Sequence, residues 1–195
     1  MFENRILKAG SLLLRELMEE DAGFIFELET RPESYQYEMG GIPDRDVVSE
    51  SCRQFIEKAK RLPKNGAIKF VICNQAGERL GTVSLQCNWE ATGEWEIGYR
   101  LLREYWGAGY ASEAVRKAIT FAFDTLSVHK LMAFINSQNT RSVALAKRMG
   151  MVQEARLREG KLVGGIWNDE LVFALLRSDL KLVNEKAKNE GSSST

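Results

Sequence analysis

Apolar residues recur along this chain with a period that switches twice. Residues 11–17 (SLLLREL) read as a first strand. In 19–29 (EEDAGFIFELE), Phe24, Ile25 and Leu28 share one face of a helix that begins near Asp21. Residues 31–44 (RPESYQYEMGGIPD) are aromatic and broken by Gly and Pro, which predicts a loop. A second helix over 47–62 ends before Pro63. The period then falls to two. Ile68, Phe70 and Ile72 alternate in AIKFVIC (67–73), and RLGTVSLQCNW (79–89) and WEIGYRLL (95–102) follow across the turns NQAGE and EATGE, predicting an antiparallel meander. Helical spacing returns at Ala111, Ala114, Val115, Ala118, Ile119, Ala122 and Leu126. KLMAFIN (130–136) reads as a strand. TRSVALAKRMG (140–150) reads as a helix capped by Asn139 or Thr140 and stopped at Gly150, and NDELVFALLR (168–177) reads as a final strand.

The order is strand, two helices, three strands, helix, strand, helix, then one or two strands. This predicts an α/β (α+β) class with a mixed, mostly antiparallel central sheet and helices on both faces. The helical crossover over 111–127 should make its two flanking strands parallel. With 195 residues, 44% apolar and 28% charged, the chain suits one domain over residues 1–180. Residues 181–195, which end in the polar run NEKAKNEGSSST, are expected to form a disordered tail.

Charge narrows the function classes. Lys plus Arg number 27 and Asp plus Glu 27, so no net field favours nucleic acid or a membrane surface. No apolar run is long enough to span a bilayer, and the first residues carry no apolar leader, so a cytoplasmic protein is expected. Cys52, Cys73 and Cys87 are odd in number and widely spaced, as expected of reduced core thiols. His129 is the sole histidine, so no metal site of the usual His/Cys type is expected, and a structural role suits it at a helix-to-strand junction.

The chemistry concentrates in REYWGAGYASEA (103–114). Gly107 and Gly109 permit backbone angles closed to other residues, and Ala108 and Ala111 keep bulk away. The following helix offers free N–H groups and the positive end of its dipole. Such a turn can cradle phosphate oxygens, although many plain strand-to-helix turns also carry two glycines. A P-loop would need Lys followed by Ser or Thr, which is missing. A dinucleotide fingerprint would need an acidic residue where His129 stands.

The run EIGYRLLREYWGAGYASEAVRKAITFAF resembles motif A of the GNAT acyltransferases, in the variety of the ribosomal-protein N-terminal acetyltransferases (RimJ/RimL-like), with the family's Q/R-x-x-G-x-G/A falling on Trp106, Gly109 and Ala111. INSQNTRSVALAKRMGMVQEARLRE is similar to the family's N-x-x-S…K-x-G-F segment through Asn139, Ser142, Arg148, Gly150 and Met151. SLLLREL with Asp21 resembles its opening, and Gly165 with Asp169 its last strand, so the likeness spans roughly residues 10–178. The resemblance implies a GNAT fold with a splayed strand and acetyl-CoA as co-substrate. The pyrophosphate would lie on residues 107–111, Tyr110 included. The pantetheine arm would pair with backbone at Leu101 and Leu102, and Asn139 and Ser142 would approach from the other side. Asn139 serves equally well as a helix cap.

The implied reaction is acetyl transfer to an amine, which must be neutral to attack. A terminal α-amine (pKa ~8) needs less help than a lysine (~10.4). Glu96 is the candidate base, with Glu94 on the same strand face and Glu90 as further options. Family members often carry an acidic tyrosine four residues before the G-F pair; here that position is Ala146, leaving Ser142 as a donor to the sulfur. The acceptor wall is expected from Tyr35, Tyr37, Glu38 and Trp89, with Trp167 nearby. The leading acceptor is a protein N-terminus, ribosomal or other. Small amines (polyamine, amino acid, aminoglycoside) and a silent acyl-CoA-binding module are the alternatives. Monomer and homodimer both remain open.

Overall fold

The computed structural model describes residues 5–180. The expected tail at 181–195 lies outside them. Eight strands form one sheet in the order β1-β2-β3-β4-β5-β6-β8-β7. They are β1 (Ile6–Ala9), β2 (Leu12–Glu16), β3 (Ala67–Asn74), β4 (Arg79–Trp89), β5 (Glu94–Leu101), β6 (Lys130–Asn136), β7 (Val152–Val163) and β8 (Ile166–Leu176). The helices are α1 (Ala22–Thr30), α2 (Pro32–Tyr35), α3 (Arg45–Ala59), α4 (Tyr110–Asp124) and α5 (Thr140–Arg148).

The mixed sheet and the meander match the sequence reading. The α4 crossover makes β5 and β6 the parallel pair, and they are in register only over Glu94–Glu96 and Lys130–Met132. Beyond Glu96 the two strands part. β5 continues along β4 to Leu101, while β6 continues along β8 to Asn136. The sheet thus opens into a V at its centre.

Two strands and a short helix escaped the reading. β1 is a four-residue edge strand, too short to show a period. β7 is an edge strand whose side chains are mostly exposed and polar, so it lacks the apolar alternation that marks a strand. α2 starts with Pro32 at a first-turn position, where proline's missing N–H costs nothing. α3 begins two residues before its predicted start because the Asp44 side chain accepts the Val47 amide (2.9 Å) as a cap.

Period two sorts the core into halves. Ile68, Phe70, Ile72, Val83, Leu85 and Ile97 point to the α4/α5 face, where Ala114, Val115, Ala118 and Ile119 meet them. Val71 and Cys73 point to the other face and pack with Phe24, Ile25, Leu28, Val48 and Cys52. All three thiols are free, and burial raises each above its ordinary pKa.

Glu113, in the first turn of α4, accepts the Leu12 amide (3.1 Å) and the Ser11 hydroxyl (3.2 Å). The carboxylate sits favourably near the positive helix end and fixes that end against the β1–β2 turn. We predict that Glu113→Ala lowers the unfolding free energy by about 1 kcal/mol, measured by urea titration.

Candidate active site

The open V leads into a cleft of about 1250 Å³ that runs through the sheet. One end lies on the α4/α5 face and the other on the α1/α3 face.

On the α4/α5 face, the turn before α4 holds Gly107 at φ +81 and Gly109 at φ +86. Gly109 is the N-cap of α4, and its left-handed backbone is strained for any residue with a side chain. The first amides of α4 are therefore presented to the cleft, lined here by Trp106, Gly107, Gly109, Tyr110 and Ala111. Ala108 belongs to the same turn but does not line the cleft. The Trp106 indole donates to the Leu101 carbonyl (2.9 Å), and Arg141 stacks over its ring at 4.7 Å. Arg148 donates to Ser112 Oγ at 3.4 Å. Both arginines line the cleft near the glycine turn, and both escaped the reading as anion ligands, because their approach depends on how α5 docks beside α4.

The β5 edge is decided by hydrogen-bond parity. Leu102 N–H donates to the Leu80 carbonyl (2.9 Å). Bonded pairs alternate along an antiparallel ladder, so Arg100 and Gly98 direct their amides to β4, while Leu101 and Tyr99 turn theirs into the gap. Leu102 is thus corrected as an edge residue. Its amide is used by β4, and its side chain is buried with Leu17 and Val48, because a strand offers only every second residue to one neighbour. Tyr99 takes its place.

The Tyr99 side chain reaches across the gap, and its hydroxyl lies 2.8 Å from Ser142 Oγ on α5. Burial pushes the Tyr99 pKa up, partly opposed by the bond with Ser142 and the charge of Arg148. Asn139 is the α5 cap, its side chain accepting the Ser142 amide (3.1 Å), and it also lines the cleft. Ala146 is buried in the core.

On the α1/α3 face stand the even residues of β5. Glu96 lines the cleft and accepts from Asn88 Nδ2 at 3.2 Å. Glu29 receives Lys69 (3.5 Å) and Arg100 (3.6 Å). Lys161 Nζ lies 3.1 Å from Glu38 and 3.3 Å from Glu170. Burial alone would lower the Lys161 pKa, but its two carboxylates together raise it. The loop after α2 spans the V here. Asn136 Nδ2 donates to the Tyr37 carbonyl (3.2 Å), and Lys161 holds Glu38.

Of the residues expected on the acceptor wall, Tyr37 and Glu38 line the cleft. Tyr35 closes α2 and does not line the cleft. Trp89 and Glu94 pair with each other across the β4–β5 turn, beyond the narrow end of the V, and Trp89 is exposed. Trp167 is exposed on β8 outside the cleft. Lys69, Arg100, Lys161 and Glu170 were missed, since only the folded sheet brings them to one face. His129 also lies outside the cleft. Among the described residues, no cluster of three or more His, Cys, Asp or Glu could hold a metal ion, and no helix is long and apolar enough to cross a membrane.

A sheet parted at its parallel pair, with an amide cradle at the following helix, defines an acyltransferase of the GNAT fold. Residues 11–152 match the family described as Acetyltransferase (GNAT) domain, and the chain belongs to that family. It is 32% identical over 170 residues to the Bacillus licheniformis protein named "Uncharacterized N-acetyltransferase p20", covering 86% of this chain and 94% of that one. The structure of RimL, the ribosomal L7/L12 alpha-N-protein acetyltransferase in complex with coenzyme A, superposes with a TM-score of 0.78 at 18% identity, covering 88% of this chain and 98% of that one. A chimera of the Vibrio cholerae spermidine N-acetyltransferase superposes with a TM-score of 0.75 at 24% identity, covering 87% and 97%. The chain is therefore an acetyl-transferring enzyme of the N-acetyltransferase class.

Proposed function

We propose that the chain moves the acetyl group of acetyl-CoA to a primary amine, and that this amine is a protein N-terminal α-amine. The observation that carries the reading is the cleft through the sheet: an amide cradle and an open strand edge on one face, and on the other Glu96, a carboxylate without a cation partner among the described residues.

Each half has a task. The amides of residues 107–111, with Arg141 and Arg148, bind the pyrophosphate. The Tyr99 backbone and the Leu101 amide pair with the amides and carbonyls of the pantetheine arm, which satisfies edge groups of β5 that β4 does not use. This places the thioester where β5 and β6 part, and an edge N–H stabilises the oxyanion. When Tyr99 is the donor in its 2.8 Å bond with Ser142, the Ser142 proton is left free to point at the departing sulfur. A thiolate needs little acid help, so a positioned hydroxyl suffices without a tyrosine at 146. From the opposite face the amine reaches the carbonyl carbon, and Glu96, directly or through one water, takes its proton.

Among the cleft carboxylates, Glu29, Glu38 and Glu170 are each already engaged by a cation. Glu96 has an amide partner instead. A small-amine reading has one observation in its favour, the shared fold of the spermidine enzyme.

The test is turnover of acetyl-CoA with a panel of peptides bearing free N-termini, polyamines and aminoglycosides. Free CoA released fastest with peptides is the expected result. Fastest release with polyamines or aminoglycosides would replace the acceptor. CoA binding with no release on any amine would leave only a binding module.

A further inference from the structure

We propose that Lys161 sets the acceptor class: its ammonium, held between Glu38 and Glu170 on the acceptor face of the cleft, occupies the place a second cation of a polyamine would need, so the site accepts amines that bring a single positive charge. This rests on the reading of the chain as an N-acetyltransferase and deepens its choice of acceptor.

Three observations support it. First, Lys161 is a fixed part of the wall. Its side chain is 11% exposed, and both carboxylates lie within 3.3 Å. Second, the other cations on this face, Lys69 and Arg100, are tied to Glu29, so the charges there are largely matched in advance. Of the carboxylates lining this half, only Glu33 and Glu96 make no salt bridge among the described residues. A polyamine whose reacting amine sits at Glu96 would push its remaining ammonium groups against Lys161, Lys69 or Arg100. Like charges set face to face exclude the wrong partner more effectively than small differences in fit. Third, Lys161 also builds the wall it guards. Its bond to Glu38 and the Asn136–Tyr37 bond together hold the loop after α2 across the V. A peptide brings one α-ammonium and neutral amides, which that wall can accommodate.

The experiment compares kcat/KM for a peptide with a free N-terminus and for spermidine, in the unaltered protein and in Lys161→Met. The unaltered protein should favour the peptide. Lys161→Met frees Glu38 and Glu170 as two anionic positions, and the ratio of spermidine to peptide should rise roughly tenfold or more, mainly through a lower KM for spermidine. Lys161→Arg keeps the cation and should keep the ratio. The paired variant Lys161→Met with Glu38→Gln restores the net charge of the cluster and leaves Glu170 as one free anionic position, and it carries the test if the single variant fails to fold. Its ratio should still rise. An unaltered protein that prefers spermidine overturns the inference, as does a ratio that stays within about twofold in both Met variants. No turnover on either acceptor, with CoA still bound, overturns the enzymatic reading itself and is distinct from these outcomes.

Discussion

Asp21→Asn is expected to lower the unfolding free energy by about 3–5 kcal/mol, the usual result of removing one partner of a buried ion pair. The Asp21 side chain is 1% exposed. It accepts two bonds from the Arg15 guanidinium (2.7 and 2.9 Å) and one from the Met18 amide (2.9 Å), and Arg79 lies at 3.6 Å. These contacts join β2, the entry to α1 and the start of β4. An asparagine of the same size would turn an N–H₂ toward a guanidinium and leave Arg15 half-buried without its anion. For a chain of this length the loss corresponds to a fall in Tm of about 10 °C.

The same pair gives an acid signature. Burial alone would raise the pKa of Asp21, but the bonds from Arg15 and Met18 and the charges of Arg15 and Arg79 outweigh it and hold the carboxyl below its ordinary value. A carboxyl whose folded pKa is depressed contributes stability that is present above its unfolded pKa, about 3.9, and is lost as pH falls through the lower folded value. Unfolding midpoints of the two proteins should differ most near neutral pH and converge in acid. Urea titrations across pH would decide it. A gap that stays constant down to the lowest pH would mean that shape, not ionisation, sets the cost.

What the amino-acid pattern revealed, and what it hid, follows from the range of each interaction. Core strands such as β3, buried on both faces, and β4 declare themselves as short apolar runs bounded by turn residues, and α4 by its stripe of apolar residues at helical spacing, because each signal is local in the chain. The glycine turn was legible for the same local reason. Its function needs backbone angles that only certain residues allow. β7 was not legible, because its outer edge meets solvent and its alternation is blurred by charge. The donor-side residues lie within two local segments, 99–111 and 139–148. The acceptor side gathers Glu29, Lys69, Glu96, Lys161 and Glu170 from separate elements, and no spacing along the chain records their meeting. Tyr99 shows the limit most plainly. It stood inside the quoted motif, but its bond to Ser142 exists only because α5 docks over the parted edge of β5.

Glu96→Gln should reduce kcat at neutral pH by at least tenfold, and by as much as the ~10²–10⁴ that a general base contributes. Its position argues for a kinetic rather than a structural effect. Glu96 accepts one bond, from Asn88, and glutamine can keep that contact through its side-chain oxygen. Among the described residues it forms no ion pair whose loss would strand a buried charge, so the fold should persist. KM for acetyl-CoA should stay near its original value, since the amide cradle lies on the opposite face of the sheet. The pH dependence separates proton removal from other roles. Below the pKa of an α-amine, ~8, the acceptor arrives protonated and needs a base inside the cleft. Above it the neutral amine arrives unaided, and the deficit of Glu96→Gln should shrink as pH rises. A deficit of the same size from ~6.5 to ~9.5 would mean that the carboxylate orients the amine without taking its proton. An unchanged kcat at neutral pH would move the search to Glu33, the other cleft carboxylate without a salt bridge among the described residues.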